Sequence, residues 1–137
     1  LKALGFQIIL ELYGCNREML NDERRIEGAL TGAARIAGAH VVDTRFHKFN
    51  PHGVSGIVVI SESHITIHTW PEYGYAALDV FTCGEGFDKN AAIDCIKSHF
   101  EPDHVGVIEM QRGILDLPPE EVHHKPSLAA VSNIKES

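Results

Sequence analysis

The chain has 137 residues, three cysteines and a net charge of −7 with histidine neutral. That is enough for one domain with a single core, and with no basic cluster in view it argues against a nucleic-acid surface and for a cationic or zwitterionic small ligand. No apolar run approaches the roughly 20 residues that a spanning helix needs, and the N-terminus lacks the basic region and cleavage site of a signal peptide, so a cytoplasmic protein without membrane contact is expected. Cys15, Cys83 and Cys95 contain no Cys-x-x-Cys pair, which favours free thiols over a disulfide framework or a zinc knuckle.

In chain order, the loose alternation of Phe6, Ile8 and Leu10 predicts a first strand from Leu4 to Tyr13, broken at Gly14. Met19, Ile26, Leu30, Ala33 and Ala37 recur at helical spacing, so a helix is expected over about Asn21 to Ala37, with Gly38 as its stop. His40 to Phe49 and Ser55 to Ile60 read as strands two and three, separated by the turn residues Asn50-Pro51-His52-Gly53. Strand four is His64 to Trp70, which Pro71 ends because it cannot donate to a ladder; strand five is Ala76 to Cys83. Asp88 is a suitable N-cap for a second helix buried along Ala92, Ile96 and Phe100, and Val105 to Met110 supplies the last strand. A single domain over residues 1–117 is expected, with a mobile tail over 118–137.

The order βαββββαβ, with hairpin-length links between strands two and five, implies an α+β fold. It is a two-layer sandwich in which a mainly antiparallel sheet carries both helices on one face. The other face is expected to hold apolar side chains from strands three to five, and pairing with a second copy, sheet against sheet, would cover it.

Two strand-like runs meet at Glu62-Ser63, where a plain hairpin would use Asn-Gly or Asp-Gly. Taken singly, Ser63 reads as a turn serine bonded to its own backbone. Its hydroxyl could also attack the preceding carbonyl and form an ester, given a group to steady the oxyanion and another to handle protons; Ser55 and His68 are candidates. Each also has a plain reading, as a strand-start hydroxyl and a half-buried strand histidine. His64 and His68 share a strand face, but a closed metal site needs more ligands than two, so no metal is expected. Cys83 reads as a small buried hydrophobe or, at the end of strand five beside the hairpin partner of His68, as an acid aimed into a pocket. Phe49 could stack on a purine, and Glu72, just past Pro71, could accept hydrogen bonds from ribose hydroxyls.

The run Ser61-Glu62-Ser63-His64-Ile65-Thr66-Ile67-His68-Thr69-Trp70-Pro71-Glu72-Tyr73-Gly74-Tyr75-Ala76, closed by Phe81-Thr82-Cys83-Gly84, resembles the core motif of the prokaryotic pyruvoyl-dependent S-adenosylmethionine decarboxylases. Phe46-His47-x-Phe49 and Pro51-x-Gly53-Val54-Ser55-Gly56 fit the same family, so the resemblance covers about residues 1–116. It implies a proenzyme that cuts itself between Glu62 and Ser63, leaving a β chain of residues 1–62 and an α chain from 63 whose first residue becomes a pyruvoyl cofactor. By motif position, His68 removes the Cα proton of the ester, Ser55 steadies the cyclic intermediate and Cys83 is the proton donor after decarboxylation. The resemblance further implies that Phe49 stacks on the adenine and Glu72 binds the ribose of S-adenosylmethionine, that the decarboxylated product is the aminopropyl donor of spermidine synthesis, and that protomers pair, with residues from both able to line one pocket. A ketone conjugated to an amide suits this chemistry, since it can capture the substrate amine and accept the electrons released as carbon dioxide leaves. Two alternatives remain: a pyruvoyl-dependent arginine decarboxylase on the same scaffold, and a small-ligand or metal-binding module that never processes.

Overall fold

The computed structural model describes residues 2–83 and 85–123. Six strands, β1 (Ala3–Tyr13), β2 (Val41–Lys48), β3 (Val54–Ile60), β4 (Ser63–Trp70), β5 (Tyr75–Thr82) and β6 (His104–Ile114), form one antiparallel sheet in the order β2-β3-β4-β5-β1-β6. Helices α1 (Arg17–Leu20), α2 (Glu23–Ile36) and α3 (Lys89–Phe100) bury their apolar sides against one sheet face in a single core. The two-layer α+β architecture read from the sequence is the one observed.

The expected first helix is two. Asn16 accepts a hydrogen bond from the Met19 amide and caps α1, and Asp22 accepts one from the Arg25 amide and caps α2. Each cap satisfies an amide that the helix itself leaves unpaired, so Asn21, between them, stays outside both. Met19, assigned by spacing to the longer helix, belongs to α1. Helix α2 buries Ile26, Ala29, Leu30, Ala33 and Ala34, and its small residues let α3 pack close beside it. Strand β6 runs on to Ile114, beyond the expected end at Met110, because β1 offers it a partner along nearly its whole length, down to Ala3 opposite Ile114.

The pleat decides what each face carries. In β4 the odd positions Ile65, Ile67 and Thr69 are buried under the helices together with Val54, Val58 and Ile60 of β3 and Ala76, Leu78 and Val80 of β5. Each fully buried Ile or Leu contributes about 1.5–3 kcal/mol. The opposite face is mixed. The apolar residues expected there from β3 and β5 are present, Ile57, Val59, Ala77 and Phe81, with Ile9, Ile108 and Met110 from β1 and β6, but His64, Thr66 and His68 from β4, Asp79 from β5 and Glu11 from β1 lie among them, because the apolar residues of β4 fall on the odd, helix-side positions.

Among buried residues Thr69 is polar, and it is fully used: its hydroxyl donates to the Leu20 carbonyl at 2.7 Å and accepts from the Val54 amide at 2.8 Å. The Gly53 amide donates to Asn21 Oδ1 at 3.0 Å, so the loop entering β3 is tied to the α1–α2 junction. Gly53 has φ +103°, and a Cβ there would sit 3.1 Å from the Thr69 carbonyl oxygen, which leaves room for glycine alone. Gly56 is required for another reason, since a Cβ would lie 2.0 Å from the Phe46 ring that crosses it. The tail expected from Pro118 begins with a short 3-10 turn at Pro119–Glu121, and Val122 is buried; residues 124–137 lie outside the described residues.

Candidate active site

The candidate residues fall into two groups at opposite ends of the β3–β4 hairpin. At its tip, Ile60 pairs with Ser63, so Ser61 and Glu62 make a two-residue loop and Ser63 is the first residue of β4 rather than the apex. Glu62 takes up φ +64°. A loop this short needs a left-handed residue, and a side chain held there stores about 1 kcal/mol or more of backbone strain in the residue whose carbonyl precedes Ser63. The Ser61 amide donates to the His40 carbonyl at 3.1 Å, which pins the loop to the segment leaving α2.

A cavity of about 300 Å³ opens beside this loop, lined by Glu62, Ser63, Thr82 and Cys83 and walled by Gly38–His40 and Gly86–Phe87. Cys83 is therefore not beside the partner of His68. His64 pairs with Phe81, so the same register continued past the end of β5 sets Cys83 opposite Glu62, whereas His68 pairs with Ala77. The other thiols are elsewhere: burial, and secondarily the Asp103 charge, pushes Cys15 up to about 11, and burial raises Cys95. Of the three thiols, Cys83 is the one that lines this cavity, and it is partly exposed there.

At the base of the hairpin, Ser55 and His68 are cross-strand partners, with Ser55 Oγ and His68 Nδ1 hydrogen-bonded at 2.8 Å. Phe49 lies at the same end: its amide donates to the Gly53 carbonyl, and the His47 ring meets its ring edge-on at 4.7 Å between centroids. The Trp70 ring stacks on Tyr75 at 5.3 Å, and the Tyr75 hydroxyl donates to both Glu11 carboxylate oxygens at 2.7 Å. Glu72 follows in the Pro71–Tyr73 turn, where its Oε2 lies 2.5 Å from Nε2 of His52.

One copy of the chain therefore does not place Ser55 or His68 beside Ser63. Ser63 and His68 are five positions apart on β4, which at about 3.3 Å per residue is ~17 Å, and the odd step turns their side chains to opposite faces. Sequence reading assigned no role to His52. It lies in the turn that enters β3, and the β3–β4 pairing that starts at Ser55–His68 brings this turn beside the Pro71–Tyr73 turn that carries Glu72. Among the described residues no three His, Cys, Asp or Glu side chains gather as a metal site would require, and no helix is long and apolar enough to cross a membrane.

Known proteins share this arrangement of sequence. Residues 6–113 match the family described as S-adenosylmethionine decarboxylase. An S-adenosylmethionine decarboxylase proenzyme from Caldicellulosiruptor saccharolyticus is 53% identical over 116 residues, covering 85% of this chain and 94% of its own length. Another, from Thermotoga maritima, is 48% identical over 130 residues, covering 93% and 100%. Among solved structures, the adenosylmethionine decarboxylase of Aquifex aeolicus superposes with a TM-score of 0.76 at 34% identity, covering 85% of this chain and 96% of that one. The matched span takes in the strained Glu62 turn, the cavity thiol and the whole base cluster, and at these identities and coverages the chain belongs to the S-adenosylmethionine decarboxylase family.

Proposed function

We propose that this chain is a self-processing, pyruvoyl-dependent decarboxylase of S-adenosylmethionine, that it cuts itself between Glu62 and Ser63, and that each working site is assembled from two copies. The observation that carries the reading is the hairpin tip: a non-glycine residue held at φ +64° immediately before a serine, on a cavity that also takes in a free thiol.

In the processing step the Ser63 hydroxyl attacks the Glu62 carbonyl carbon. The Oγ–C bond forms as the C–N bond breaks, the hydroxyl proton ends on the released amine, and the peptide becomes an ester. Left-handed Glu62 favours the cut because breaking that peptide frees it from the turn. Removal of the Ser63 Cα proton then expels the Glu62 carboxylate, and hydrolysis of the resulting enamine releases ammonia and leaves the pyruvoyl group. The fit of Ser63 to that fate is its position as the first residue of β4, where a cut makes it a new chain end on the cavity.

When formed, the group supplies a carbonyl that accepts electrons from the breaking carboxyl bond. The chain's own residues do the rest. Cys83 delivers the proton from Sγ to the carbon that has lost carbon dioxide, Phe49 presents a stacking face to adenine, and Glu72 accepts from ribose hydroxyls. His68 holds and moves the proton removed from Ser63 Cα, with Ser55 fixing its ring through the 2.8 Å hydrogen bond. Because one copy separates that pair from Ser63 by the length of the hairpin, a second copy provides them. The open face, with Ile57, Val59, Ile108 and Met110 among its polar groups, is the surface that copy would cover.

The test is complementation. Ser63→Ala and His68→Ala, each inactive alone, are co-expressed in one cell. If each site joins Ser63 of one copy to His68 of the other, a mixed pair holds one intact site, and random pairing gives about a quarter of the wild-type rate. Activity no higher than that of either variant alone would overturn the shared site. Decarboxylation of arginine in place of S-adenosylmethionine by the wild type would overturn the substrate.

A further inference from the structure

The base cluster contains a contact that the reaction as described leaves unused: His52 Nε2 against Glu72 Oε2 at 2.5 Å. We propose that His52 is a positioning residue for substrate, holding the Glu72 carboxylate in the orientation that receives the ribose. The inference rests on the reading of Glu72 as the ribose acceptor.

Glu72 lies on a short 3-10 turn, at the surface, with a side chain of three rotatable bonds. Left to itself such a side chain spreads over many rotamers, and ordering it when substrate arrives would weaken binding. His52 does that ordering beforehand. Its own loop is fixed at both ends, by the Phe49 amide on the Gly53 carbonyl and by the Gly53 amide on Asn21 Oδ1, so the imidazole is presented from a rigid turn. The contact uses one carboxylate oxygen. A carboxylate has lone pairs on both, so Oε1 remains available to accept from a ribose hydroxyl while Oε2 is held. The same contact also links the two loops that carry Phe49 and Glu72, the residues assigned to the two halves of the nucleoside, and so sets the distance between adenine and ribose subsites.

Both partners are more than a third exposed, with side-chain accessibilities of 38% and 36%, so a surface ion pair of this kind does little for the stability of the fold. Its effect belongs to binding. The expected result, on fully processed protein, is that His52→Ala raises KM for S-adenosylmethionine about five- to twentyfold with kcat within about twofold of wild type, as for a loss of uniform binding. His52→Gln, whose amide can reach and donate to the same oxygen, should restore most of the KM. The yield of self-cleavage reports whether each variant has folded.

The cycle is completed with Glu72→Gln alone and with both substitutions. If Glu72→Gln leaves KM unchanged, the ribose assignment of Glu72 has failed. If Glu72→Gln raises KM but His52→Ala does not, or if the two effects simply multiply in the double variant, Glu72 binds ribose without help and the positioning role of His52 is overturned. A rise in KM that His52→Gln does not reverse also overturns it, since the hydrogen bond would then not be what matters.

Discussion

The two ends of the β3–β4 hairpin are built by different means. The tip is a backbone device: a two-residue loop with Glu62 held at φ +64° and the Ser61 amide pinned to the His40 carbonyl, opening beside a cavity. The base is a side-chain device, in which Thr69, Asn21, His52 and Ser55 each hold a neighbour by a hydrogen bond. The contrast matches the work proposed for each. The cut is made once and needs stored strain and a hydroxyl in place; the strain of the turn is not needed again, although Ser63 and Cys83 beside it go on to serve the proposed decarboxylation. Recognition repeated at every turnover needs side chains that return to the same positions, and hydrogen-bonded ones do.

The largest expected effect falls on the tip. Ser63→Ala removes the hydroxyl proposed to attack the Glu62 carbonyl and with it the precursor of the keto group, so the chain should remain one uncut polypeptide with no decarboxylase activity. Intact-mass measurement after prolonged incubation checks the first and carbon dioxide release the second. Cleavage in this variant would show that the strained turn breaks without the hydroxyl, and the distinction between the ends would have to be redrawn.

A smaller effect is expected from the base. Thr69→Val keeps the side chain's volume but leaves the Leu20 carbonyl and the Val54 amide unsatisfied in the core, at about 1–3 kcal/mol. Measured by urea denaturation in the uncut Ser63→Ala background, this loss should be accompanied, on processed protein, by a higher KM, because the loops carrying Phe49 and His52 hang from that threonine. A stability loss without a change in KM would mean that the base cluster holds its shape independently of the core.

How much of this was legible in the sequence follows the same division. The strands could be read because β3, β4 and β5 alternate, and the tip could be read because Glu62 has no preference for the left-handed conformation that so short a turn requires. The sheet order could not. Placing β1 between β5 and β6 depends on pairing between residues as distant as Leu10 and Leu78, and nothing local signals it. The separation of Ser63 from His68 was present in the numbering, since five residues of strand fix both a length and a parity. Reading the residues as one motif hid it. The register that moves Cys83 to the tip was missing for a related reason: the ladder counts from His64 opposite Phe81, and the turn at Pro71–Gly74 that sets this register uses a 3-10 segment rather than a simple loop.

The strain at the tip can itself be measured. In the uncut Ser63→Ala background, Glu62→Gly should stabilise the chain, because glycine enters the left-handed region freely. The relief exceeds the extra freedom glycine gains in the unfolded chain, for a net gain of about 0.5–1 kcal/mol. With Ser63 restored, the same substitution should slow self-cleavage. Unchanged stability would indicate that Glu62 is held by its own contacts rather than against its preference, and the tip would then resemble the base.

The smallest effect tests the aromatic wall of the base. Tyr75 is pushed up to about 12, by burial first and then by its hydrogen bond to Glu11, from the usual 10.0. A group whose folded value lies above its unfolded one contributes stability that is complete below the unfolded value and disappears as pH rises through the folded one. The hydroxyl's contribution is therefore fully present below pH 10 and lost between about 10 and 12. Thermal unfolding of the uncut chain across that window should show the midpoint of the parent falling faster than that of Tyr75→Phe, which has no proton to lose. Cys15, pushed up to about 11 by burial, adds a loss of the same sign to both proteins, so the difference between the curves reports Tyr75 together with its coupling to Tyr13, which shares Glu11. Parallel curves would mean that the Tyr75–Glu11 hydrogen bond does not hold the Trp70 side of the base, and that stacking on Trp70 at 5.3 Å suffices.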